Sequence, residues 1–273
     1  MDPGADRVEC WRDADVLGGV EVLRADFRRR RFPRHFHDDY TFGLVTRGAN
    51  RFIYRRDRLV APAGTLCLAD PGEVHTGEAD EGGWSYWTVH VPADVLATLR
   101  AELDEGAAGP PDFAAGVIDD AQAVRRFAAF FRSVRGSSPL ERGSRAVAAL
   151  AYLIRAHGAD RPRGSAPGAD PGVARTVRDY LADRLAEPVT LADLEAATGV
   201  GRFRLLRAFR RAYGLPPHAW QMQLRLARAH ALIGVGRPIA EAAADAGFAD
   251  QAHLTRLFKR SFGYTPGMLA RGR

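Results

Sequence analysis

Two sets of residues in this 273-residue chain have the types and spacing to do chemistry. His35 and His37 stand two apart in strand-like text, which places both imidazoles on one face of a strand. His75 follows the turn Asp70-Pro71-Gly72 and is positioned to join them. Three neutral imidazoles that converge bind a divalent metal and leave positions open for a substrate. The same three rings also suit local hydrogen bonding or the wall of a metal-free pocket. Trp84, Tyr86, Thr88 and His90 alternate along one strand face. Turned inward, that face gives a half-apolar pocket with a few polar groups, and it reads equally as core. The expectation is a small-molecule site made by His35, His37, His75, Trp84, Tyr86 and His90, with Arg34, Tyr40 and Arg51 as further contacts. No metal, no cofactor and no catalytic residue are expected.

The second set is a repeat. Leu205-Leu206-Arg207-Ala208-Phe209-Arg210-Arg211-Ala212-Tyr213-Gly214 returns 49 residues later as Leu254-Thr255-Arg256-Leu257-Phe258-Lys259-Arg260-Ser261-Phe262-Gly263. Each copy reads as a basic helix closed by glycine. Leu205, Phe209 and Tyr213 form an apolar stripe for a core, as do Leu254, Phe258 and Phe262. At about 100° per residue, Phe203, Leu206 and Arg207 point away from the first stripe, and Gln251, Thr255 and Arg256 from the second. Arginine fits guanine O6 and N7, glutamine fits adenine, and an exposed phenylalanine fits a thymine methyl. These six, with Arg202 at the helix start, are the expected base readers on double-stranded DNA. Arg210, Arg211, Lys259 and Arg260 lie further along and are expected on phosphates.

Charge agrees with that placement. Residues 171–273 hold 16 basic and 8 acidic side chains, whereas residues 1–170 hold 23 and 25. The whole of the net +6 therefore comes from the third of the chain that carries the repeat, as a polyanion partner requires.

The elements that must position these residues divide the chain in two. From about Phe32 to Val91 short β-branched and aromatic runs alternate with turn signals at Arg47-Gly48, Pro62-Ala63-Gly64 and Asp70-Pro71-Gly72, which predicts a β-barrel. Residues 1–30 read as polar and partly mobile. Helices are expected near 120–135 and 141–157, with stripes Val124, Phe127, Phe131, Val134 and Val147, Leu150, Ile154 that pack on the barrel or form a dimer seam. The Gly, Pro and Asp-rich stretch 158–172 reads as a linker between a domain at 1–157 and another at 173–273. The second domain reads as all helix. Thr190 and Asp193 make a capping box, Gly199 ends a short helix, and the basic helix starts near 202. A long helix at 217–234 spaces this helix-turn-helix from a second one, where Gly247 ends the short helix and Asp250 caps the basic one.

No run of about 18 apolar residues predicts a membrane span. The N-terminus lacks the apolar stretch of a signal peptide, and two distant cysteines, Cys10 and Cys67, make neither a disulfide framework nor a zinc site. The expectation is a cytoplasmic protein.

Residues 173–271 resemble the double helix-turn-helix domain of AraC/XylS-type transcription regulators. The resemblance rests on Leu191-Ala192-Asp193-Leu194, Gly199-Val200, Leu205 to Phe209 and Leu224 to Ala229. It continues through Pro238-Ile239-Ala240-Glu241, Gly247 to Gln251, Phe258-Lys259-Arg260 and Gly263-Tyr264-Thr265-Pro266. It implies two recognition helices in successive major grooves about 34 Å apart, a homodimer on paired half-sites, and contact with RNA polymerase. Residues 33–76 resemble the cupin-like effector domain often fused to this family, through Pro33 to His37, Gly48, Pro62 to Leu66 and Asp70 to Thr76. The chain departs from both patterns. Gly201 stands where relatives commonly cap with serine, and Ala252 and His253 are unusual in the second reader. The glutamate that catalytic cupins place after the second histidine is replaced by Asp38, Asp39 and Tyr40. The expected function is a non-enzymatic, effector-controlled regulator, with a metal-dependent cupin enzyme carrying a DNA-binding module as the alternative.

Overall fold

The computed structural model describes residues 6–104, 107, 109–159 and 171–272. The chain forms two compact units, one holding the strands and the other built from helices.

The first unit runs β1 (Arg7–Asp13), β2 (Val20–Phe27), β3 (Arg31–His35), β4 (Tyr40–Tyr54), β5 (Asp57–Pro62), β6 (Leu66–Ala69), β7 (His75–Val91), α1 (Ala93–Leu103), β8 (Asp112–Phe113), β9 (Val117–Ile118), α2 (Ala121–Ser133), α3 (Pro139–His157) and β10 (Gly158–Ala159). Eight of the strands form one antiparallel sheet in the order β1-β2-β7-β4-β6-β9, with β3 added on β7 and β5 on β4. This is the expected cupin-like sheet domain, with three differences. Described residues of the polar N-terminal stretch are strands: β1 pairs along its length with β2, and Val20, Val22 and Phe27 are buried. Helix α1 was not foreseen. Arg47-Gly48 is no turn but a bulge within one long strand, where the β4–β7 register slips twice. Gly48 sits at φ 67°, and a Cβ there would lie 1.9 Å from the Gly83 carbonyl oxygen, so only glycine lets the two long strands cross.

Side chains alternate across β7, and the two faces have different uses. Val89 and Val91 join Tyr40, Phe42, Leu66 and Leu68 in a core closed by Phe127, Phe130 and Phe131 of α2 and Leu150, Leu153 and Ile154 of α3. Each such buried side chain contributes roughly 1.5–3 kcal/mol. The α2 and α3 stripes thus pack on their own sheet, except Val147, which is exposed. The other face of β7 carries Trp84, which packs with Ala25, Phe27 and Phe32.

The linker read at 158–172 falls mostly, at 160–170, outside the described residues. Its edges are structured: β10 pairs with β8, and helix α4 (Pro171–Asp183) begins within it. The second unit continues with α5 (Leu191–Thr198), α6 (Arg202–Tyr213), α7 (Pro217–Gly234), α8 (Ile239–Asp245), α9 (Gln251–Phe262) and α10 (Pro266–Arg271). Thr190 and Asp193 form the reciprocal capping box of α5, and Gly199 ends that helix at φ 68°. Asp250 caps α9 by accepting from the His253 amide. Leu205 and Phe209 of α6 and Leu254 and Phe258 of α9 are fully buried, as the stripes require.

Candidate functional site

Helices α6 and α9 are the second members of two helix-turn-helix units, and each turns a polar face outward. Phe203 is 80% exposed, a costly position for a phenyl ring in water and a sensible one against a base. Arg207, Arg210 and Arg211 are exposed on α6, as are Gln251, Arg256, Lys259 and Arg260 on α9. Leu206 and Thr255 are half-buried at the edge of the same faces. Arg202, exposed at the start of the same helix, has a partner within the protein. Its guanidinium pairs with Glu195 of α5 at 3.2 Å, and Glu195 also accepts from the Arg202 amide at 2.8 Å. Glu195 thereby supplies to α6 the N-terminal hydrogen bond that Gly201 cannot, and its carboxyl is held below the usual range by the Arg202 amide and guanidinium.

Sequence reasoning missed Arg225. It lies mid-helix on α7 and donates to the carbonyls of Leu185 at 2.7 Å, Glu187 at 2.9 Å and Gly247 at 2.8 Å. One side chain thus ties the spacer to the segment after α4 and to the turn of the second helix-turn-helix. Arg225 and Arg228 look alike in the helix text, and nothing local marks which of them turns inward to carbonyls.

In the first unit the structure brings the expected small-molecule residues to one side of the sheet. His35 and His75 are cross-strand partners on β3 and β7, with ring centres 4.3 Å apart. His37 lies 5.0 Å from His35, 5.2 Å from His75 and 5.2 Å from His90. His90 shares a hydrogen bond with Thr41 at 3.2 Å. Phe32 links this group to Trp84 and Tyr86, with Trp84 itself 1% exposed. Two buried polar atoms on this face, the Trp84 indole N–H and the Thr88 hydroxyl, have no hydrogen-bond partner. Burial lowers the His35 imidazole to about 3 and also lowers His75, so both rings are neutral. Burial likewise raises the Tyr86 phenol and pushes the Cys67 thiol up to about 11, so both stay protonated, while the Arg30 guanidinium, 4.9 Å from the Phe32 ring centre, brings a positive charge to this side.

Three residues leave the pocket reading. Tyr40 points to the opposite face, fully buried against Phe42 and Phe113 and bonded to the Pro111 carbonyl. Arg51 is a surface residue paired with Asp80, and Arg34 is exposed. Glu73, next but one to His75, turns to Arg55 at 3.4 Å.

An antiparallel sheet domain with a polar inner cluster, joined to a helical unit with two helix-turn-helix motifs, defines an effector-responsive DNA-binding protein. The AraC-like ligand binding domain matches residues 17–152, and a helix-turn-helix domain matches residues 194–272. The chain belongs to the AraC family of transcription regulators. It is 29% identical over 238 residues to YbfI, an uncharacterized HTH-type transcriptional regulator of Bacillus subtilis, covering 86% of each chain. It is 26% identical over 243 residues to the arabinose operon regulatory protein of Salmonella typhimurium, covering 85% of this chain and 84% of that one. Apo ToxT from Vibrio cholerae shares the two-domain fold with a TM-score of 0.57 at 12% identity, over 92% of this chain and 97% of that chain. Among the described residues no helix is long and apolar enough to cross a membrane.

Proposed function

We propose that this regulator works without catalysis, as a cytoplasmic homodimer whose small-molecule effector binds on the inner face of the sheet. In this reading Phe203, Leu206 and Arg207 read one stretch of bases and Gln251, Thr255 and Arg256 another. Arg210, Arg211, Lys259 and Arg260 neutralise phosphates, and Arg202, paired with Glu195 in the free protein, joins the first reader at its N-terminal end. The observation that carries the reading is the matched exposure of Arg207 and Arg256 at the same phase of two helices within one compact unit. His35, His37, His75, Trp84, Tyr86 and His90 are the effector contacts, with boundaries of the two domains at 157 and 173. The same fold in ToxT from Vibrio cholerae has been seen with an unsaturated fatty acid bound, which supports a small-molecule effector for this chain. In this reading the effector acts by binding two conformations unequally, and the DNA-bound protein contacts RNA polymerase.

Genome-wide mapping of bound sites, with and without candidate metabolites, tests this. A discrete set of protected sequences whose occupancy shifts with one metabolite is expected. Protection indifferent to sequence would sink the reading in favour of an architectural DNA binder.

A further inference from the structure

Spacing alone does not separate a metal site from a metal-free pocket at His35, His37 and His75; the hydrogen bonds behind the rings do. The Nδ1 atom of His35 lies 2.8 Å from the Pro33 carbonyl oxygen, and Nδ1 of His75 lies 2.9 Å from the Glu73 carbonyl oxygen. A carbonyl only accepts, so both rings donate from Nδ1 and carry their lone pair on Nε2. Each bond reaches back two residues to the backbone, and together the two bonds fix the tautomer and the orientation of the rings. That is the support a metal-binding histidine receives from its surroundings. One ligand atom from each of the three histidines lies within 4.8 Å of the others. Around a tetrahedral ion with bonds of about 2.0 Å, imidazole centres stand about 5 Å apart, which the ring separations of 4.3 to 5.2 Å match.

We propose that His35, His37 and His75 form a three-histidine site for a divalent transition-metal ion on the inner face of the sheet. Three imidazoles with no carboxylate favour Zn²⁺, Co²⁺ or Ni²⁺ over Mg²⁺ or Ca²⁺, which want oxygen. Three protein ligands leave a coordination position for water or for the effector, with His90 and the unpartnered Thr88 hydroxyl on the same side of the sheet. The site goes beyond the regulator reading and stands without it, since neither helix-turn-helix unit takes part.

The tag-free full chain, stripped with a chelator, is titrated with Co²⁺ and with Zn²⁺. One ion per chain is expected after gel filtration, with visible ligand-field absorption for Co²⁺ and a melting temperature raised by Zn²⁺ but not by Mg²⁺. His37→Ala and His75→Ala should each weaken binding by more than about 100-fold while His218→Ala, at an exposed histidine of the other unit, leaves it unchanged. His37 is half-buried and outside the strand, so its variant is the one expected to keep its circular dichroism spectrum. Failure of the wild-type chain to retain either ion overturns the proposal, as does equal retention by a folded His37→Ala variant. Footprinting of the stripped protein reports separately on DNA recognition, so failure of one reading is distinguishable from failure of the other.

Discussion

The two helix-turn-helix units share a helical frame and are fastened in opposite ways. The turn of the first is held by side chains of its own pair of helices: the Thr190–Asp193 box starts α5, and Glu195 clasps Arg202 across the turn. Its glycine at the turn, Gly199, has φ 68° and open space where a Cβ would point. The second is seated against the rest of the unit. Gly247, at φ 78°, would put a Cβ 2.7 Å from the Ala186 Cα, and its carbonyl is gripped by Arg225 of the spacer. A repeat in sequence thus preserves what each helix must be, while leaving open what each helix leans on. Both readers bury their apolar stripes, but the turn of the first is fastened by its own side chains and the turn of the second is packed against the rest of the helical unit.

That contrast can be broken most sharply at the two turn glycines. Gly247→Ala combines left-handed backbone with a backbone clash and should cost about 3 kcal/mol, whereas Gly199→Ala meets only the backbone penalty of about 1 kcal/mol. Chemical denaturation of both variants measures the gap, and equal losses would erase the distinction. Arg225→Met should cost about 2–3 kcal/mol by stranding three carbonyls. Hydrogen exchange should then show α8 and α9 opening before α5 and α6. On DNA, Arg256→Ala should lose about 1–3 kcal/mol and relax selectivity at one base pair. An equal loss on every sequence, read by competition binding, would reassign it to phosphate. The smallest effect is at the caps: Gly201→Ser should gain a few tenths of a kcal/mol and Asp250→Ala should lose about 1 kcal/mol, both by thermal melting. Acid should loosen the first turn through Glu195. The native pairing depresses that carboxyl, so its contribution is full at neutral pH and fades as pH falls through the carboxylate range.

Legibility in the sequence followed the range of the interactions. Helix starts and stops such as Thr190, Gly199, Asp250 and Gly263 are written within four residues, and each lies where it was read. The described part of residues 1–30 was misjudged because Arg7, Glu9 and Arg24 dominate the text, although alternate residues of β2 are buried. Tyr40 went to the wrong face because facing depends on register across the sheet: Tyr40 pairs with Val91 and Thr41 with His90. His35 and His75 are 40 positions apart, so their types were visible but not the carbonyls that orient them. Arg202 and Arg225 both look like solvent-facing charges, and only tertiary contacts show that one pairs with Glu195 and the other staples three carbonyls.

Helix α7 is 18 residues of uninterrupted helix between the two units, so chain length there is also angle. Each residue added or removed turns whatever follows by about 100° and shifts it by about 1.5 Å. A substitution in α7 changes a contact; an insertion would dial α9 out of phase with α6 while leaving every local helix signal intact. The number of residues in that helix is therefore as much a part of the address this protein reads as any side chain that touches a base.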